Sequence, residues 1–244
     1  MDICKNCGAE FSSKFCPHCG QERITRRLEV KSILHDITHG ILPLENNILR
    51  TFRLLLTKPG NFVRSYISGK RKSFVKPFSY FLSLQTIFVV IFHLMIEKYY
   101  AYFNTTVTSA TQAGKIAEMQ HLISRNVNYF NFFLPLIFAF FFKLFLRKKT
   151  NVNYAESLVF SFYILGTLLV INTLFMLLIY IDVKLYNIRF LFSYVYLVYA
   201  VLQYSGFSRL KGILTGTVII ILSYFVFMVL VGGFTFWYVF YFIK

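Results

Sequence analysis

Apolar positions are intermittent before residue 77 of this chain and nearly continuous after it. From Phe78 a predominantly hydrophobic run of about twenty residues leads to Ile96, which at about 1.5 Å per residue covers about 30 Å of hydrocarbon. Similar runs follow, and the pattern predicts five membrane spans, at about 77–96, 129–146, 158–181, 188–204 and 213–236. The last run continues to Ile243, too long for one straight crossing. It tilts, or bends at Gly232-Gly233 and leaves the aromatic tail from Phe234 to Phe242 at the interface.

Upstream the spacing is helical rather than continuous. Val30, Ile33, Leu34, Ile37 and Ile41 share one face, as do Leu49, Phe52 and Leu56 beyond a break at Pro43. Arg50, Arg53 and Arg64 interrupt the apolar runs, so neither piece spans. Helices with one apolar face and basic flanks lie in the membrane interface or pack on the cytoplasmic ends of spans. Between spans one and two, residues 97–128 open with an aromatic belt (Tyr99, Tyr100, Tyr102, Phe103). Ile116, Met119, Leu122 and Ile123 then suggest a short surface helix. The expected division is a ribbon over 1–22, basic amphipathic helices at the membrane surface over 23–76, and a transmembrane domain over 77–244.

Composition agrees with a membrane class. The 244 residues are 57% hydrophobic and 15% charged, more apolar surface than a soluble domain of this size can bury. The first 21 residues are polar and cysteine-rich rather than a secretory signal, so the first span is expected to act as its own membrane signal. A net charge of +16 fits either nucleic acid or a membrane surface, and its distribution decides. Twenty of the 26 Lys and Arg fall before Lys76 inclusive, between spans two and three, or between spans four and five. That bias places the N-terminus in the cytoplasm and the C-terminus outside.

All four cysteines fall in the first twenty residues, as Cys4-x2-Cys7-Gly8 and Cys16-x2-Cys19-Gly20. Two residues between thiolates let one tight turn present both sulfurs to an ion, and the following glycine lets backbone amides approach. Two such knuckles supply a closed tetrahedral site for a structural Zn²⁺, held by Cys4, Cys7, Cys16 and Cys19. Some twenty residues cannot build a core, so metal is needed for folding. A reducing cytoplasm agrees with metal rather than disulfides. His18 reads as a turn residue. Residues 1–22 carry Lys5 and Lys14 against Asp2, Glu10 and Glu22, an acidic balance that argues against nucleic acid as partner.

Lys70, Arg71, Lys72 and Lys76 stand immediately before the first span. They read as a topology determinant that touches anionic headgroups, with a specific site for an acidic lipid or a protein partner as the sharper version. His35 and His39, at i and i+4, superficially resemble a metallopeptidase helix. An aspartate replaces the glutamate and no third ligand is near, so a solvated or interfacial helix face is expected. Within the spans, His93 and Lys143 sit toward the ends, Glu156 and Asp182 cap the third, and Asn172, Thr173 and Gln203 offer hydrogen bonds between helices. Gly212-x-x-x-Gly216 permits close helix contact. No carboxylate is expected at mid-membrane, which argues against an ion-coupled pump.

The chain resembles a family of bacterial membrane proteins known as domain of unknown function 3667. The resemblance rests on Cys4-x2-Cys7-Gly8, Phe15-Cys16-x2-Cys19-Gly20-Gln21, Thr51, Pro59-Gly60, Tyr66-Ile67-x-Gly69-Lys70-Arg71-Lys72, Phe74 and Pro77. It is specific through about Leu82. It implies a multi-pass protein of the bacterial inner membrane with an N-terminal zinc ribbon, and no established activity. The expectation is therefore an all-α polytopic membrane protein with a small cytoplasmic zinc ribbon. Its role is non-enzymatic: ribbon and basic helices act as an interaction or scaffold module for a protein partner. A small transporter or channel for an apolar or lipid-like solute is the alternative.

Overall fold

The computed structural model describes residues 2–24, 27–33, 48–107, 128–178 and 187–242, with the backbone alone given for 96–107, 239, 240 and 242. His35, His39, the surface helix expected near 116–123, and Asp182 lie outside the described residues. A two-stranded antiparallel ribbon opens the chain, β1 (Asp2–Ile3) against β2 (Glu10–Phe11). Seven helices follow among the described residues: α1 (Ile48–Thr57), α2 (Pro59–Ser68), α3 (Pro77–Val107), α4 (Leu134–Thr150), α5 (Tyr154–Leu177), α6 (Arg189–Ser205) and α7 (Arg209–Phe242).

Three of these are long and apolar enough to cross a membrane: Pro77–Met95 of α3, Tyr154–Leu177 and Arg209–Tyr238 of α7. The chain thus carries the helices of a membrane protein. α4 and α6, each 17 residues long, extend only about 25 Å and stand at the lower limit for a crossing. α7 runs unbroken through Gly232-Gly233 for 34 residues. α3 continues eleven residues past the end of the apolar run, because Glu97 to Val107 are polar and aromatic but contain no helix breaker.

α5 is the centre of the bundle, with the fifteen residues from Ala155 to Leu169 all buried. It begins four residues before the apolar run predicts. The cause is a capping box: the Asn153 side chain accepts from the Glu156 N–H at 2.8 Å, and the Glu156 carboxylate accepts from the Asn153 N–H at 3.0 Å. Hydropathy does not register a polar cap. α6 returns antiparallel to α5, with Tyr204 against Phe160 at one end and Ser193 hydrogen-bonded to Asn172 at the other. α7 then packs antiparallel on α6. A Cβ on Gly212 would meet Leu202 at 2.2 Å and one on Gly216 would meet Val198 at 3.4 Å, so the small pair sets the close approach.

The juxtamembrane helices belong to this core. α1 turns into α2 at Lys58, where Pro59 supplies a first helical residue whose missing N–H costs nothing. Gly60 then lies so close to α6 that a Cβ would sit 2.3 Å from the Tyr204 nitrogen. Gln203 accepts from the Gly60 N–H at 3.2 Å. Three tyrosines donate to the surrounding backbone: the buried Tyr163 to Val75 at 2.5 Å and Tyr196 to Leu55 at 3.1 Å, and the exposed Tyr199 to Thr57 at 3.0 Å. Tyr163 is fully buried and meets the rings of Phe62 and Tyr66 edge-on at 5.0 and 5.3 Å. Basic side chains finish the end of α6: Arg64 donates to the Tyr204 carbonyl and Lys149 to the Gly206 carbonyl, where the helix dipole is negative.

Candidate metal centre and its dock

The four cysteines converge. Their sulfurs all lie within 4.8 Å of one another, with Cys4–Cys19 and Cys7–Cys16 both at 3.6 Å. A tetrahedral ion with bonds of about 2.3 Å to sulfur sets its ligands about 3.8 Å apart, whereas a disulfide needs about 2.05 Å. All four cysteines are free. The donor set therefore fits a metal ion. His18 is exposed and stands outside the cluster.

Two nearly identical knuckles build it. In each, the glycine after the second cysteine has positive φ (81° at Gly8, 69° at Gly20) and donates to the first cysteine's carbonyl at 2.8 Å. The N–H of that first cysteine donates five residues on, Cys4 to Ala9 at 2.8 Å and Cys16 to Gln21 at 2.9 Å. Arg23 ties the two halves together, paired with Asp2 at 2.9 Å and donating to the Ser12 carbonyl at 2.7 Å. The Cys4 thiol is lowered to about 6, chiefly by the backbone N–H of Cys7 aimed at its sulfur. The Cys7 thiol is raised to about 12: the Ala9 N–H pulls it down, but burial and the neighbouring sulfurs outweigh that pull. Negative sulfurs this close oppose one another, and a bound cation removes the conflict.

The two knuckles differ at one place. Where the first has Ala9, the second has Gln21, and that side chain leaves the ribbon. Its buried carbonyl oxygen accepts from the backbone N–H groups of Lys72 at 2.8 Å and Arg71 at 3.3 Å. Ser73 donates to Asn6 at 3.1 Å. Gly69, at φ 123°, lets Lys5 lie where a Cβ would stand, 2.7 Å from that side chain's Cδ. The ribbon is thus seated on the basic loop between α2 and α3. A second latch lies downstream: Arg27 clasps Glu156 with two bonds of 2.6 Å, and Asn153 donates to the Leu28 carbonyl at 2.9 Å. This pairing holds the Arg27 guanidinium above its ordinary range.

Of the four basic residues singled out in the sequence, Lys70, Lys72 and Lys76 are exposed while Arg71 is half-buried, its guanidinium 5.9 Å from the centre of the Tyr66 ring. Two features escaped the sequence pattern. One is the role of Gln21, signalled only by its place as the counterpart of Ala9. The other is a group of polar side chains inside the bundle, Gln85, Asn128 and Arg189, of which Gln85 was visible as a lone amide in an apolar run.

No curated protein and no solved structure matches the chain. A family model does, that of the protein of unknown function DUF3667, and it covers residues 45–89. That stretch holds α1, α2, the loop on which the ribbon sits and the opening turns of α3, so the match supports the resemblance carried by Thr51, Pro59-Gly60, Gly69 and Pro77 and places this segment with the DUF3667 family.

Proposed function

We propose that this is a non-enzymatic, multi-pass protein of the bacterial inner membrane whose N-terminal ribbon, loaded with Zn²⁺, is a cytoplasmic interaction or scaffold module. One observation carries the reading: the cysteine cluster is docked through Gln21 on the basic loop that leads into the first membrane helix, while apolar side chains of the ribbon, Ile3 and Phe15, remain exposed. A closed all-cysteine tetrahedron suits zinc as a structural ion. Lys70, Lys72 and Lys76 on the seating loop are placed to meet anionic headgroups, and five crossings put the C-terminus outside. A partner that grips the ribbon pulls on the start of α3 rather than on a flexible tether.

Crosslinking and affinity capture from native membranes test this, comparing wild type with Cys16→Ser/Cys19→Ser. A stoichiometric protein partner lost in the variant, with the helices still inserted, supports the module. An identical set of captured proteins sinks it. The alternative of a small transporter or channel for an apolar or lipid-like solute is favoured by one feature, a cavity between the helices. Solute flux in proteoliposomes above that of empty vesicles is its requirement.

A further inference from the structure

A cavity of about 440 Å³ lies between α3, α5, α6, α7 and the residues leading into α4. That volume is within the range of about 300–1,000 Å³ typical of small-molecule sites. It occupies the part of the bundle away from the ribbon, beyond the Tyr163 hub. Most of its described wall is apolar, with Phe81, Leu165 and Leu168 buried on the inside, while Ile221 and Met228 are exposed at its margin.

Two polar side chains of this wall are incompletely bonded. Gln85 is fully buried, and donating to the Asn128 carbonyl at 2.8 Å orients its amide, which leaves the side-chain oxygen without a partner among the described residues. Asn128 is 5% exposed. Its Oδ1 accepts from Asn131 at 3.4 Å, and its side-chain nitrogen is likewise unpartnered. By contrast Ser193 and Asn172, also in the wall, bond each other at 3.2 Å. One acceptor and one donor are therefore unmet on neighbouring side chains of the same cavity. Each costs free energy until something enters to bond it.

We infer that this cavity binds an uncharged amphiphile whose head offers a donor and an acceptor together, with its hydrocarbon tail along the apolar wall. An alcohol hydroxyl is the smallest such head. The unmet pair selects that class. A hydroxyl hydrogen donates to the Gln85 oxygen, and the hydroxyl oxygen accepts from the Asn128 N–H. A carboxylate has acceptors only and leaves the Gln85 oxygen unbonded, whereas an ammonium has donors only and leaves the Asn128 nitrogen unbonded. Arg189 also lines the space, its guanidinium 4.5 Å from the centre of the Phe190 ring, and takes no part in the selection. The exposed apolar margin gives a tail continuity with surrounding lipid. The site stands independently of the ribbon reading and of any flux through the bundle.

The test is native mass spectrometry of the full chain released from micelles supplied in parallel with oleyl alcohol, oleamide, oleyl methyl ether or oleate. The four share one hydrocarbon chain and differ in the head: alcohol and amide offer donor and acceptor, ether and carboxylate acceptors alone. Retention of oleyl alcohol about tenfold above the ether and oleate is expected, the effect of one hydrogen bond to a buried group that otherwise goes unmet. Oleamide retained with the alcohol names the whole donor–acceptor class, and oleamide retained with the ether narrows it to hydroxyls. Gln85→Leu and Asn128→Leu each remove one unmet atom and should bring the alcohol down to the level of the ether, with the ether held as before. Misfolding would lose both together. Ser193→Phe, which fills the space, should lose all four. Equal retention of alcohol and ether in the wild type, the result if water already serves the pair, overturns the inference. So does a preference for the alcohol that persists in both leucine variants.

Discussion

Gln21 shows how much one side chain decides. Its carbonyl oxygen is the acceptor for two backbone N–H groups of the basic loop, at 2.8 and 3.3 Å, and it is buried. In Gln21→Leu both donors lose that partner in a confined place, a loss of about 1–3 kcal/mol. The ribbon's own hydrogen bonds use the Gln21 backbone and survive. Limited proteolysis should therefore release residues 2–24 faster in Gln21→Leu while metal stays at one ion per chain. Loss of the metal would instead make Gln21 part of the cluster's fold. Gly60 gives a second contrast. Its substitution by Ala drives a Cβ to 2.3 Å from the Tyr204 nitrogen, backbone against backbone, and overpacking of that kind costs about 1–3 kcal/mol. Gly233→Ala, with nothing within 4 Å, should leave the melt unchanged or raise it slightly, since alanine is the better helix former. A thermal melt in detergent that ranks the two variants the other way would refute the close α2–α6 contact.

Elements differ in how far the sequence revealed them. The cysteine knuckles were legible to the residue, because metal ligation fixes both spacing and residue type over a few positions. So were the apolar cores of α3, α5 and α7, where hydrocarbon demands a continuous run. The start of α5 was legible only in part: Glu156 stands at the cap where the sequence put it, but the N-cap itself, Asn153, is a polar residue that hydropathy does not count and was not legible. Nor was the Arg27–Glu156 latch, since 129 residues separate partners that no local pattern links. It is argued as a pair. Glu156 is 5% exposed at its side chain and Arg27 is 50% exposed. A fully buried pair broken on one side costs about 3–5 kcal/mol, but solvent screens a half-exposed guanidinium, so Arg27→Ala should cost about 1 kcal/mol. Glu156→Gln should cost more, because it weakens the capping box as well as the latch. Denaturation of the two variants that finds Arg27→Ala the more harmful would mean that the linker, not the cap, sets the start of α5.

At the scale of the molecule, the directions of the helices constrain the topology more tightly than their lengths. α6 is antiparallel to both α5 and α7, through Tyr204 and Phe160 on one side and Leu202 and Gly212 on the other. α5 and α7 therefore run the same way. α3 runs with α5: Tyr80 bonds Thr167 near its start, and farther along Gln85 and Phe88 face the same cavity as Leu168 and Leu169. Three crossings alone would have to alternate in direction, so α3, α5 and α7 cannot be parallel unless the chain returns through the same thickness twice, by way of α4 and α6. Their 17 residues make about 25 Å, which suffices for a crossing only if the bilayer thins locally or flanking cations such as Arg147, Lys148 and Lys149 reach to the interface. The discriminating position is the short link at 151–153. With five crossings it lies on the ribbon's side of the membrane, and with three it lies on the other. Reporter fusions ending at Asn151, Gly206 and Tyr241 should read cytoplasmic, cytoplasmic and external. An external reading at Asn151 would leave α4 and α6 short of a crossing and would require the helices to pack differently in the bilayer.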